Sequence, residues 1–469
     1  MKKSSMLAAA ILTIGCSWFA MAGGPKYVFV FIGDGMSMPQ RMVAQEFAMA
    51  SGHGPLAMNM LPYQSTTRTR SANSIITDSA AAATAIACGE KTNNGMLGMA
   101  PDERKLESVA ELAHRQGRRV GIMTTVAIVH ATPAGFYAHR KSRGLSYQIA
   151  LDLIDSGFEF FAGGGVYNKF DDQKDPFYRG NVFDLAAKAG YKVVADKEGF
   201  NSLKNGDKCW AHFGDNGLPF AIDGYGREAS LAEMTAKAIE VLDNPNGFFM
   251  MCEGGKVDYG AHANDAATTL REVLAMDEAV KVALSFQEKH PDTLVITTGD
   301  HETGGLSMGF AGTGGKFWVE LLKSQKVSTE VFNGRIRELF KNDIEMTFDK
   351  VKPLVTEAYG LVFEKTKENE KDPMRLHSAE IKQLKEAFEQ DRAMTKAGKS
   401  ENTAHDKSRK YRFAAVCRGV LAAHAGVGWS SGSHTALPTL TTAKGPGAEN
   451  FIGMLENSDI SLKLKALYR

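Results

Sequence analysis

Four mostly apolar, β-branched or aromatic runs each end at a polar residue of a type that can ligate a metal, and this pattern constrains the fold more than any other feature. Residues 26–32 (KYVFVFI) lead into Gly33-Asp34, and a strand-like run over 119–129 ends at His130. Residues 247–252 (GFFMMC) end at Glu253, and 292–298 (DTLVITT) lead into Gly299-Asp300-His301. Continuous runs of this kind suit strands covered on both faces. Helical patterns lie between them, for example at 107–116 and 230–242. The alternation predicts a doubly wound α/β fold, with a mostly parallel central sheet and helices on both faces. Ligands in such folds gather at the carboxyl ends of the strands, which is where all four polar endings fall.

The rhythm breaks at 310–427, which reads as a mostly helical, charged insertion between two parts of an α/β domain, 23–309 and 428–469. Its clearest helices are 346–359 and 378–394, and 396–407 (KAGKSENTAHDK) reads as a polar loop. The insertion is either a solvated decoration or a part that overhangs the site. The 47 glycines exceed the usual share and fit a site built from tight loops at strand ends. A net charge of +1 gives no reason to expect a nucleic-acid partner.

Residues 1–22 carry a targeting pattern: Lys2 and Lys3, an apolar stretch from Met6 to Ile14, then Ala20-Met21-Ala22. This predicts a signal peptide cleaved after Ala22 and an exported protein, periplasmic or extracellular, with no transmembrane helix in the mature chain. Cys16 after Gly15 also fits a lipid-anchored protein, although Thr13 stands where such signals usually carry an aliphatic residue. Cleavage leaves Cys88, Cys209, Cys252 and Cys417, which allow three disulfide pairings or free buried thiols. None has the CxxC spacing of a zinc site.

Asp258 and His262 are four apart, so on a helix both leave one face and can hold one ion. Asp300-His301, between glycines at a strand end, can present an oxygen and a nitrogen together. Singly each has a bland reading: a surface pair, a helix cap at Asp300, a turn residue at Asp34, an ordinary histidine at His434. Together they supply oxygen and nitrogen ligands for two zinc ions and carboxylates for a harder cation. Ser79 heads an alanine-rich stretch (TDSAAAATA), which puts it at a helix N-terminus where an anion is favoured. The bland reading is that Asp78 or Ser79 merely caps that helix. A serine hydroxyl needs a metal or a base to ionise it, and no histidine is placed by motif for that task, so a metal is the better candidate.

The blocks IGDGMS, TDSAAAATA, HATPAGFYAHRKSR, EGGKVDYGAH, TGDHETGG and SGSHT occur in the order found in the alkaline phosphatase family, and on them the chain resembles that family over most of its length. The resemblance implies hydrolysis of phosphate monoesters through a phosphorylated serine, Ser79, with Arg143 holding two phosphate oxygens. It implies one zinc held by Asp258, His262 and His434 and a second by Asp34, Asp300 and His301. It also implies a magnesium bordered by Asp34, Thr132 and Glu253, and a homodimer. Two positions depart from some relatives, which have aspartate at His130 and lysine at Tyr259. Both residues stand as possible outer partners of the site, and a histidine at 130 leaves zinc able to compete for the third position. A phosphodiesterase of the same superfamily, or an exported metal- or phosphate-binding protein without catalysis, are the competing readings.

Overall fold

The computed structural model describes residues 24–367, 369–398 and 412–468. The predicted signal segment, and most of the predicted polar loop at 396–407, lie outside the described residues. Four strands match the four apolar runs: β1 (Tyr27–Gly33), β3 (Arg119–Ala127), β7 (Phe248–Gly254) and β8 (Thr293–Gly299). Six more join them in one sheet. These are β2 (Tyr63–Arg68), β4 (Phe160–Gly164), β5 (Lys192–Val194), β6 (Cys209–His212), β13 (Thr439–Lys444) and β14 (Gly453–Glu456). Four short strands pair outside it: β9 (Glu302–Thr303) with β12 (His434–Thr435), and β10 (Leu306–Met308) with β11 (Val427–Trp429).

The sheet order is β14-β2-β13-β8-β1-β7-β3-β4-β6-β5. Every neighbouring pair is parallel except those made by β13, which runs antiparallel to both β2 and β8. The doubly wound expectation therefore holds, with one reversed strand that the sequence pattern did not signal. The four ligand-bearing strands are consecutive, β8-β1-β7-β3, so their carboxyl ends form one rim.

Alternation along each strand feeds two cores. Phe29 and Phe31 of β1 enter one, together with Phe248, Met250 and Cys252 of β7. Val28, Val30 and Ile32 enter the other, with Phe249 and Met251. Helices cover both faces. Among them Leu231–Leu242 is capped by Ser230 and Val109–Arg115 by Ser108, one or two residues inside the predicted spans. Within 310–427 the helices are Thr329–Asn342, Phe348–Tyr359, Ser378–Lys396 and Arg412–Ala425. Their apolar residues, such as Phe332, Phe348 and Phe388, belong to the same continuous core as Phe29 and Phe31.

Cys88, Cys209, Cys252 and Cys417 are all free and buried, so none of the three pairings forms. Burial pushes the thiols of Cys88 and Cys252 up to about 12, which keeps them protonated and unreactive. Among the described residues no helix is long and apolar enough to cross a membrane.

Glu272 is a buried acid away from the strand-end rim. It lies buried on the helix Ala266–Lys289 and accepts one hydrogen bond, from the Ala221 N–H at 2.6 Å. Burial raises its pKa from an ordinary 4.5 to about 7. Because the folded value is raised, its stability contribution is complete below about 4.5 and is lost as pH climbs through 7. Glu272→Gln should therefore raise the melting temperature at pH 8, by up to ~3 kcal/mol of stability, and do little at pH 4. Equal shifts at both pH values would contradict this.

Candidate active site

Register places the site. Gly33 of β1 pairs with both Gly254 of β7 and Gly299 of β8, so Asp34 and Asp300 emerge side by side, with Glu253 one step back on β7. Gly35 has φ +69, and a Cβ there would sit 2.8 Å from both Asp258 Oδ1 and Thr303 Oγ1. The turn therefore requires glycine. His130 follows β3 and begins the short helix Ala131–Ala134, which carries Thr132. Asp258 and His262 lie on the helix Lys256–His262, as their spacing predicts. His434 lies on β12, whose pairing with Thr303 of β9 returns it to the rim.

All the sequence-predicted ligands converge. Their ligating atoms form three groups, each with members within 4.8 Å of one another: Asp258, His262 and His434; Asp34, Asp300 and His301; Asp34, His130 and Glu253. Thr132 Oγ1 donates to Asp34 Oδ2 at 3.3 Å. Asp34, Asp300 and Glu253 each use one oxygen for positioning and leave the other without a hydrogen bond among the described residues. Asp300 Oδ1 accepts from the N–H groups of Gly35 and His301, while Oδ2 is unpaired. Glu253 Oε2 accepts from Thr124 Oγ1, while Oε1 is unpaired, and Asp34 Oδ1 is unpaired as well.

The histidine tautomers follow from their partners. His262 Nδ1 lies 2.8 Å from the Gly432 carbonyl and His434 Nδ1 2.9 Å from the Thr77 carbonyl. A carbonyl only accepts, so each Nδ1 carries the proton and each Nε2 presents a lone pair. Those two Nε2 atoms face each other at 3.2 Å, an arrangement that a cation between them would relieve. Thr303 Oγ1 donates to Asp258 Oδ1 at 2.5 Å and lies 3.3 Å from His301 Nδ1, from which it accepts. His301 Nε2 is then also a lone pair, 3.3 Å from Asp34 Oδ1 and from Asp300 Oδ2. These separations match the ~3.3 Å edge of a tetrahedron of ligands set about 2.0 Å from a zinc ion. The residues fit metal ions.

Electrostatics agrees. Burial, reinforced by mutual repulsion, holds the Asp34 and Asp300 carboxyls well above the usual range, and burial holds His301 neutral. Cations would reverse the first effect by offsetting the clustered charge.

Ser79 begins the helix Ser79–Cys88, which is buried throughout because its alanines let it pack closely against its neighbours. Its Oγ lies 3.2 Å from His301 Nε2, so a histidine does stand beside the serine although no motif marks it as a base. Asp78 does more than cap. Its Oδ1 accepts from the Ala81 N–H at 3.0 Å, and its Oδ2 holds Arg143 Nη1 at 3.1 Å. Burial disfavours the Arg143 charge, but Asp78 outweighs it and raises the guanidinium pKa. Arg143 Nη2 also donates to His130 Nε2 at 2.9 Å. In that arrangement the neutral His130 carries its proton on Nδ1, which faces Asp34 Oδ2 at 3.6 Å and Glu253 Oε1 at 3.8 Å.

The sequence reading gives no site role to four further residues. Thr124, Thr303 and Asp78 orient other site groups, as described. The fourth is Tyr167, on the loop after β4, whose hydroxyl lies 3.4 Å from that of Tyr259. Tyr167 and Asn168 have φ of 55 and 58, a strained pair beside a functional site. Thr303 lies inside the TGDHETGG block and Asp78 beside Ser79, whereas Thr124 and Tyr167 carry no local signal.

The profile of the alkaline phosphatase family matches residues 25–468. Alkaline phosphatase 4 of Bacillus subtilis is 31% identical over 448 residues, covering 92% of this chain and 87% of that protein. The chain belongs to the alkaline phosphatase family. The cold-active alkaline phosphatase of a psychrophilic Shewanella superposes with a TM-score of 0.78 at 25% identity, covering 94% of this chain and all of that one. A variant of the enzyme from the Antarctic bacterium TAB5, with magnesium bound in its M3 site, gives a TM-score of 0.64 at 26% identity, covering 95% and 98% of the two chains. This family member is accordingly a phosphatase with candidate metal sites, acting on phosphate monoesters.

Proposed function

We propose that the enzyme works through a phosphoseryl intermediate on Ser79, with two zinc ions and a third cation. The observation that carries this reading is the meeting of Ser79 Oγ with His301 Nε2 at 3.2 Å, beside unpaired oxygens of Asp34 and Asp300. Asp258, His262 and His434 would hold one zinc, and Asp34, Asp300 and His301 the other, since mixed imidazole and carboxylate donors suit that ion. Asp34, Glu253 and Thr132 would hold magnesium, for which oxygen donors are apt. When bound, the cations would make the Ser79 hydroxyl and water stronger nucleophiles and offset charge on the attacking and leaving oxygens.

Ser79 Oγ forms the bond to phosphorus as the alkoxy oxygen leaves, and the departing alcohol takes a proton. Water then breaks the Oγ–P bond to release inorganic phosphate. Arg143, its fork aligned by Asp78, holds two non-bridging oxygens. The helix N-terminus at Ser79 adds its dipole. The buried phenols of Tyr167 and Tyr259 stay neutral and wall the pocket beside Arg143.

Comparing a nitrophenyl phosphate with its methyl diester tests the reading: the monoester should react at least about 10²-fold faster, and a faster diester would sink it. Because Tyr259 stands where some relatives carry a cation, Tyr259→Lys should tighten inhibition by inorganic phosphate roughly tenfold. Unchanged or weaker inhibition would count against a phosphate pocket bordered by this position.

A further inference from the structure

Away from the metal groups, a cavity of about 470 Å³ opens between the β10–β11 ladder and the helix Arg412–Ala425. Its volume is that of a small-molecule site. Arg418, Trp429, Phe310, Ser307 and Asn264 line it. Two of these carry donors that lack acceptors. Arg418 makes no hydrogen bond or ion pair among the described residues, and burial lowers its pKa. Asp265 acts on it across space. That carboxylate is already filled by Gln325 Nε2 at 2.9 Å and by the Thr329 N–H and hydroxyl at 3.0 and 2.6 Å. The Trp429 indole N–H is buried without a partner. Leaving the buried indole donor unmet is costly, and Arg418, part-exposed where it lines the cavity, has its guanidinium open to an incoming anion. The aromatic rings of Phe310 and Trp429 supply apolar wall beside them.

We propose that this cavity is a second ligand site, which takes a small organic anion whose acidic group pairs with Arg418 and whose apolar body lies against Phe310 and Trp429. A single guanidinium suits one carboxylate or a similar monoanion, bound through its two-pronged fork. The site borders the candidate metal centre without sharing its ligands. Asn264, two residues past His262, holds φ +52 and donates Nδ2 to the Ser431 carbonyl at 2.8 Å, next to the Gly432 that fixes His262.

Calorimetric titration of the metal-loaded full chain with 2-naphthoate, in saturating inorganic phosphate to block the catalytic site, tests this. The expected result is one naphthoate per chain, with 2-naphthylmethanol binding about tenfold or more weakly and Arg418→Gln erasing that difference. No binding, binding abolished by phosphate, or equal affinity for the neutral alcohol would overturn the proposal. Arg418→Met supplies a readout independent of the probe. An arginine kept for a ligand should be replaceable with an unchanged or higher melting temperature in ligand-free protein and an unchanged nitrophenyl phosphatase rate. A lower melting temperature would show Arg418 to be a structural residue and overturn the assignment.

Discussion

Ser79→Ala is expected to lower kcat for a nitrophenyl phosphate by on the order of 10⁴-fold or more, and to abolish recovery of labelled phosphate on the chain after an acid quench. The substitution removes one oxygen and leaves the helix itself intact. Asp78 still caps Ala81, and alanine is the best helix former. A loss of rate therefore reports chemistry rather than folding, and circular dichroism and melting temperature should stay near wild type. Arg143 and every candidate ligand also remain, so phosphate inhibition should persist. If the variant keeps a tenth of its rate, or the wild-type chain carries no label, water attacks phosphorus directly and the phosphoserine route is wrong.

Metal removal should have the second large effect. Chelation is expected to abolish activity and to lower the melting temperature by on the order of 10 °C, with zinc restoring both. Each cation bound at about a thousandfold above its Kd contributes ~4 kcal/mol to the folded state. The structural reason is the set of unpaired oxygens on Asp34, Glu253 and Asp300, together with two imidazole lone pairs facing each other across 3.2 Å. Without cations the cluster must take up protons or repel itself. A chelated enzyme with full activity, or one that melts at the same temperature, would dismiss the cation cradle.

Much of this site could be read in advance because its signals are local. A continuous apolar run followed by Gly-Asp or Gly-Asp-His marks a strand end wherever the strand lies in the sheet. The spacing of Asp258 and His262 marks a helix face, and TDSAAAATA marks a helix start. What could not be read depends on the pairing of distant segments. Thr124 meets Glu253 only because β3 and β7 are neighbours in register. Tyr167 reaches Tyr259 from a loop with no motif. His301 stands beside Ser79 across 222 residues of sequence. The reversed direction of β13 likewise depends on where the chain returns to the sheet. The cysteines show the same limit, since counting them left three pairings and free buried thiols equally open, and it is burial that isolates each thiol.

The chain leaves the rim after β10 and returns to it at β11, and the residues at both ends of this excursion are paired: Leu306 with Trp429 and Met308 with Val427. A few residues later His434 locks against Thr303. The two short ladders work like a clasp on the last imidazole. The polypeptide between them shares the main core, so it is changes on its outward faces that can accumulate, during evolution or in the laboratory, without moving His434.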